Sequence, residues 1–315
     1  MPALYTYRLF GVVLKSRIRF PGLEQVPAHD EGGGRVVLFR KASFRIPLRQ
    51  KGWVSAEGLV YLSTPDHRRI FARSPCFGNF QVEMACGRIS WMPSRAQHPN
   101  SAQMLASSRI LGLLLPHFKP SLLLHAGIPV VDGRAVCFVG PSGRGKSTLT
   151  TEFLRAGFPV LSDELAVIQK GEDGLLSLPP GLPDIRLWPK AFGGMSLPGL
   201  QAERILSGIS KRRYPLENNG RVRFMNGPAS LRAVYLLSRR RGGRIELCPL
   251  RKQEAMLALF RNAYNRVIEA PEILRRQFEV AAEVVRTVPV KRLFYPSGFS
   301  RLLEVRRAIL ADLKD

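Results

Sequence analysis

Residues 134–150, RAVCFVGPSGRGKSTLT, restrict the possible folds more than any other stretch of the chain. An apolar run at 135–139 leads into Gly140-Pro141-Ser142-Gly143-Arg144-Gly145-Lys146-Ser147, and a helix-forming run follows. The fit to the pattern G-x-x-x-x-G-K-[ST] is complete at every fixed position. Such a strand turns through its glycines into a helix, so that backbone N–H groups point inward where a polyphosphate can accept from them. The helix adds the positive end of its dipole. In this arrangement Lys146 bridges the outer phosphates and the Ser147 hydroxyl holds Mg²⁺. The stretch predicts a nucleotide site built from Gly140, Ser142, Gly143, Arg144, Gly145, Lys146, Ser147 and Thr148.

The segments around it read as an α/β core. Residues 122–126 are a strand, 130–134 a turn, 146–156 the loop helix with Gly157 just past its end, and 158–161 the next strand. That strand closes in Ser162-Asp163-Glu164. Residues 179–199 carry Pro and Gly throughout without periodicity, and their apolar and aromatic content points to a functional loop. A hairpin is expected next, with strands at 233–237 and 245–247 and the turn SRRRGGR at 238–244, read as a solvated turn. Helices at 252–265, 271–286 and 299–313, and a strand near 288–295, complete the chain.

The part before this core differs. Residues 5–15 and 35–44 have strand-like content around an EGGGR turn, and short runs between Trp53 and Trp91 are split by Gly, Pro and polar pairs. This predicts a small antiparallel sheet. A helix at 103–115 should stop at Pro116 and link the two parts. The expected division is a strand-rich accessory or substrate-binding domain over 1–115 and a catalytic domain over 116–315.

Length and composition suit a globular protein of one large or two ordinary domains, with 45% hydrophobic residues in 315. No apolar run has the length of a membrane span. The N-terminus lacks a signal-peptide core, so a cytoplasmic protein is expected. The cysteines Cys76, Cys86, Cys137 and Cys248 are scattered and read as buried reduced thiols. Lys and Arg number 48 against 24 Asp and Glu, a net charge of +24. A field of that sign attracts anions, although arginines spread along the chain can equally reflect genome composition. These arginines are not interleaved with stacking aromatics, which argues against a nucleic-acid partner.

A phosphate-binding loop alone serves hydrolases, switches and kinases equally, so the neighbouring residues have to discriminate. Asp163-Glu164 ends the strand after the loop helix, a position beside the phosphates. One carboxylate there can hold Mg²⁺ and the other can take a proton from an attacking hydroxyl. His125, at the end of an apolar strand, is by itself more typical of a structural histidine.

Taken together, Leu124-His125-Ala126, the loop from Gly140 to Thr148, Ala156-Gly157 and the closing Asp163-Glu164 resemble the HPr kinase/phosphorylase family. The fold of that family is related to the nucleotide domain of ATP-dependent phosphoenolpyruvate carboxykinase. The resemblance covers roughly residues 116–240, and the intervals from His125 to Lys146 and from Lys146 to Asp163 are similar to the family's. It implies ATP and Mg²⁺ as cofactors, Asp163 as the proton-handling residue, Glu164 as a metal ligand, and His125 near the transferred phosphate. Asp184-Ile185-Arg186 looks like the family's Glu-Ile-Arg signature, implying Asp184 at the metal and Arg186 in catalysis. Lys211-Arg212-Arg213 stands where the family has a basic active-site loop. The family's strand closes in Asp-Asp or Asp-Glu; Glu164 stands where HPr kinase itself has Asp, and Pro183 and Trp188 also depart from the pattern of HPr kinase proper. The Tyr7-Arg8-Leu9-Phe10-Gly11-Val12 start, LLLHA and LSDE look like the HPr-kinase-related proteins of peptide-modification systems, among them the lasso-peptide kinases. The implied function is ATP-dependent phosphorylation of a serine-type hydroxyl on a protein or precursor peptide, by a possible homo-oligomer. A non-catalytic ATP-binding partner module and a kinase of a small molecule remain as alternatives.

Overall fold

The computed structural model describes residues 3–27, 34–56, 59–94, 101–195, 200–204, 210–216, 223–264 and 270–314. The chain forms two units: Met1–Pro120 with Asn265–Arg276, and Ser121–Tyr264 with Gln277–Asp315. Both are mixed α/β. No helix among the described residues is long and apolar enough to cross a membrane.

In the first unit, alternating apolar positions make eight strands: β1 (Tyr5–Leu9), β2 (Val12–Ser16), β3 (Arg35–Lys41), β4 (Val54–Ala56), β5 (Leu59–Ser63), β6 (Arg69–Ser74), β7 (Gly78–Glu83) and β8 (Arg88–Met92). They form one sheet in the order β1-β2-β3-β8-β7-β6-β5-β4. The run of strand-like content over 5–15 forms a hairpin of two strands, because Phe10 and Gly11 both take positive φ. The sheet is not purely antiparallel: β3 lies parallel to both β2 and β8. The Gly-rich turn expected before β3 lies outside the described residues except for its last two. An aromatic file of Tyr7, Phe20, Phe39 and Trp91, with successive centroids 5.6, 5.1 and 6.1 Å apart, packs on the sheet.

The linking helix is longer than expected. It runs as α1 (Ser101–Leu105), a π-helical turn (Ala106–Ile110) and α2 (Leu111–Phe118). Pro116 lies inside α2. It removes one helical hydrogen bond, and the helix ends two residues later.

The second unit contains β9 (Ser121–Val131), β10 (Arg134–Val139), α3 (Lys146–Arg155), β11 (Val160–Ser162), β12 (Leu165–Lys170), β13 (Leu176–Leu178), β14 (Asp184–Leu187), α4 (Pro189–Gly193), β15 (Glu203–Arg204), β16 (Arg212–Pro215), β17 (Ala229–Arg240), β18 (Glu246–Pro249), α5 (Lys252–Arg261), α6 (Pro271–Thr287), β19 (Val290–Pro296) and α7 (Leu302–Asp312). α6 continues from the first unit. The main sheet runs β10-β9-β12-β13-β17-β19-β18, and β10 also pairs with β17, so the path closes into a ring. β14, β16 and β15 make a small separate sheet.

Local chemistry explains the first turns of this unit. Asp132 and Gly133 both have positive φ and join β9 to β10 as a two-residue hairpin, with Arg134 opposite Val131. α3 ends in a Schellman motif. Gly157, at φ 90°, donates to Leu154 O, and Phe158 donates to Phe153 O while their rings pack 5.4 Å apart.

One expected hairpin does not form. β17 and β18 do not pair; β19 lies between them, parallel to β17 and antiparallel to β18. β17 buries side chains on both faces, Val234 in one core cluster and Tyr235 in another, so its backbone N–H and C=O groups are shut off from water and take strand partners along both edges. β18 is mostly exposed and serves as an edge. α3 and α7 cover one face of the sheet through Leu149, Phe153, Val305 and Ile309. α5 and α6 cover the other through Leu259, Ala281 and Val284.

The cysteines also differ from expectation. Cys137, on β10, is buried, and burial pushes its thiol up to about 12. Cys76 and Cys86 sit in turns and Cys248 on the edge strand, and all three are exposed.

Candidate functional site

The Gly-rich loop leaves the end of β10 and enters α3. Gly140, Gly143 and Gly145 have φ of 154°, 79° and 94°. A side chain at Gly145 would put its Cβ 2.5 Å from the Tyr295 hydroxyl oxygen, so this position requires glycine on two counts. The loop is braced from distant strands. The Tyr295 hydroxyl donates to Arg144 O, and Arg239 Nη1 donates to Gly143 O at 3.2 Å. Burial pushes the Tyr295 phenol up to about 12, so it stays a donor. Buried Lys146 turns its ammonium inward to Gly140 O at 2.6 Å and Pro141 O at 3.2 Å.

A cavity of about 560 Å³ opens over this loop. Ser142, Gly143, Gly145, Lys146, Ser147 and Thr148 line one side. His125, Arg186, Lys211 and Arg239 line others, which makes the cavity strongly cationic. Trp188 and Phe299, both exposed, stand among the apolar parts of the wall. Arg144 is exposed and is not part of the lining, while Gly140 faces a second hollow behind the loop.

The strand geometry brings the two carboxylates to the loop. β11 and β12 both run antiparallel to β9, and Asp163-Glu164 forms the bend between them. Asp163 is only 6% exposed. Its Oδ2 accepts from the Arg186 backbone N–H at 3.0 Å. Burial raises its pKa from 3.8 to about 6, against the pull of Lys211, the Arg186 N–H and the Ser147 hydroxyl. Gly127 on β9 makes room for it: a Cβ there would stand 3.1 Å from Asp163 Oδ1 and would overlap Thr150 Oγ1.

Glu164 is ion-paired with Arg186 and accepts at Oε1 from the Tyr264 hydroxyl at 3.2 Å. His125 pairs with Leu165 across the β9–β12 ladder. Its ring lies 6.0 Å from that of Tyr264, only 8° from parallel. Arg186 and Arg213 come from the small sheet, where they face each other across β14 and β16. Asp184 lies between them: Oδ1 is 3.3 Å from Arg186 Nε and Oδ2 is 2.7 Å from Arg213 Nε. Burial raises the Asp184 carboxyl even with Arg213 beside it. Of the basic triplet, Lys211 reaches the cavity and Arg213 is buried, bonding Asp184 and Glu203.

The structure therefore gathers His125, Lys146, Ser147, Asp163, Glu164 and Arg186 around one loop, and gives both oxygens of Asp184 to arginines. Sequence reasoning passes over Gly127, Tyr264 and Tyr295 and reads Arg239 as part of a solvated turn, whereas Ser238–Arg240 continue β17 and Arg239 reaches the loop. No motif or spacing marks them, because each reaches the site through tertiary pairing.

The donor set can take a nucleotide and its metal. The glycine φ angles, the start of α3 and Lys146 suit a polyphosphate. Among the described residues, no cluster of three or more His, Cys, Asp or Glu side chains is arranged to hold a metal by itself. Mg²⁺ needs none, because it takes one or two carboxylates and completes its shell with phosphate and water oxygens. Ser147, Asp163 and Glu164 are hard oxygen donors of that type.

No protein-family model matches the chain, and no curated protein does. Among solved structures, the chain is similar to the Hpr(Ser) kinase/phosphatase from Coxiella burnetii, at 12% identity and a TM-score of 0.32. The match spans 61% of this chain and 97% of that one. A likeness of this size assigns neither fold nor family.

Proposed function

We propose that the protein is a phosphate-loop kinase of the HPr-kinase type, transferring the γ-phosphoryl group of ATP to a serine-type hydroxyl of a protein or peptide. One observation carries this reading: a buried carboxylate, Asp163, is held by the Arg186 N–H beside Ser147 of the Gly-rich loop, and burial there raises its pKa to about 6. A general base works best with a pKa near the operating pH.

ATP·Mg²⁺, when bound, supplies the phosphoryl group and the metal that draws negative charge from it. The residues of the chain would do the rest. Loop N–H groups between Gly143 and Thr148 donate to the phosphate oxygens. Lys146 leaves its carbonyl partners for the outer phosphates. Ser147 and Glu164 hold the metal. Asp163 takes the proton of the attacking hydroxyl as its oxygen bonds to phosphorus and the bond to the ADP oxygen breaks. Arg186 and His125 steady the charge on the transferred group, and Asp184, fixed by Arg213, orients Arg186. The cationic wall with Lys211 and Arg239 favours an acidic acceptor.

The test is incubation of the purified protein with ATP·Mg²⁺ and serine-bearing acidic peptides, read by mass spectrometry. A mass gain of one phosphate with the wild type, lost in Asp163→Asn while ADP binding persists, is the expected result. ADP binding without transfer to any peptide would remove the kinase reading and leave a nucleotide-dependent binding module.

A further inference from the structure

Tyr264 belongs to no motif, yet it touches two members of the candidate site. It lies just beyond α5, in a segment that returns along β9. Asn262 O accepts from His125 N at 3.2 Å, Ala263 bridges Leu124, and Tyr264 N–H donates to Leu123 O at 2.9 Å. The segment thus behaves as a short additional strand on β9, and it sets the phenol ring without any help from the loop. The ring then stacks on the His125 imidazole, and the hydroxyl reaches Glu164 Oε1. Tyr264 is 9% exposed and Glu164 8%, so both groups exchange little with water.

Glu164 is held from two sides. Arg186 pairs with its carboxylate, and the phenol donates to Oε1. An arginine alone attracts a carboxylate bidentately and would turn both oxygens toward itself. The phenol supplies a competing donor that fixes the rotation of the carboxylate. Groups that orient a metal ligand from behind in this way are a regular part of metal sites.

We propose that Tyr264 is a positioning residue that sets the rotation of Glu164 for metal binding and seats the His125 ring. This inference rests on the kinase reading above, in which Glu164 is a metal ligand. Tyr264 is not among the residues that line the cavity.

The experiment measures ADP affinity of the full-length protein by calorimetry, in EDTA and in Mn²⁺, for wild type, Tyr264→Phe and Glu164→Gln. Mn²⁺ should tighten ADP binding to the wild type. Tyr264→Phe keeps the ring and should bind ADP in EDTA within about twofold of wild type, while losing about tenfold of the tightening. A purely packing role would leave the metal effect intact, since the ring remains. Full tightening in Tyr264→Phe, with tightening lost in Glu164→Gln, overturns the inference and leaves the kinase reading standing. A wild type indifferent to Mn²⁺ overturns both. If Tyr264→Phe does not fold, Tyr264→His, which keeps a ring but withdraws the phenol oxygen from Glu164, should lose the same tightening; full tightening in that variant overturns the inference.

Discussion

Replacing Asp163 by Asn should make the protein more stable at neutral pH while abolishing transfer. The carboxyl is buried, and its pKa rises from 3.8 to about 6, chiefly by desolvation. In the unfolded chain an Asp titrates near ~3.9. The folded state therefore binds this proton more tightly than the unfolded state does. Stability is highest below about pH 4, falls as pH rises from about 4 to 6, and stays lowered above that. At about 1.4 kcal/mol for each pH unit between the unfolded and folded values, ionising Asp163 in place costs roughly 3 kcal/mol at pH 8. Asparagine has nearly the same shape and no charge, so it avoids this cost. The pKa of about 6 already includes the attraction of Lys211, so the gain at pH 8 should be about 2–3 kcal/mol. Urea unfolding of both proteins at pH 4.5 and pH 8 reads the effect. The variant should be the more stable protein at pH 8, with most of the difference gone at pH 4.5. A destabilised variant at pH 8, or a difference independent of pH, would refute the argument that burial strains an ionised Asp163. The same titration predicts that transfer by the wild type falls as pH drops below about 6, where the base is protonated.

Gly127→Ala should cost about 1–3 kcal/mol by overpacking against Thr150 and Asp163. In Gly127→Ala/Thr150→Ala much of that cost should disappear, so that a double-mutant cycle in urea shows clear non-additivity; additive losses would count against the contact. Arg213→Ala takes from buried Asp184 the nearer of its two arginines, leaving Arg186 at 3.3 Å, and should destabilise by about 2–3 kcal/mol in the same assay; a loss below about 1 kcal/mol would contradict the pairing. Lys146→Met should weaken ADP binding at least about tenfold by calorimetry, since a charged hydrogen bond contributes about 1.5–3 kcal/mol; unchanged affinity would exclude Lys146 from the phosphate site.

What is legible in the chain is mostly local. The bounds of α3 differ by one residue from the expected helix, and Gly157 stands where a left-handed C′ residue is expected, because capping depends on a few neighbouring residues. Asp132-Gly133 likewise marks its own turn. The failures concern pairing across long separations. The runs that form β17 and β18 have the content of a hairpin, and nothing near them announces that β19 lies between. Residues 179–199 read as aperiodic, yet they include β14 and α4, because a strand of four residues and a helix of five show too little period to detect. Residues 196–199 of that stretch lie outside the described ones. Within the site, the residue types at 125, 146, 163 and 164 are conspicuous by chemistry and spacing. Asp184 stands at the metal only through the resemblance of Asp184-Ile185-Arg186 to a family signature, and its pairing with Arg213 on the neighbouring strand is not legible in the sequence. Tyr264 and Tyr295 are ordinary apolar-segment tyrosines until the fold turns their hydroxyls onto Glu164 and Arg144.

The bracing of the Gly-rich loop has a consequence for how the protein is made. Its supports, Arg239 and Tyr295, lie 96 and 151 positions along the chain from the loop residues they hold. A ribosome completes the loop early but releases its supports late. A nascent chain ending before β19 carries all of Gly140–Ser147 and lacks the hydroxyl that packs on Gly145. Nucleotide cannot stabilise the growing chain through this loop in its braced form until β19 has been synthesised. The second unit must then close a ring of strands of high sequence separation, a slow step by its contact order. Premature termination products should therefore be devoid of nucleotide affinity despite an intact motif, and the full-length chain should acquire that affinity late and in one step.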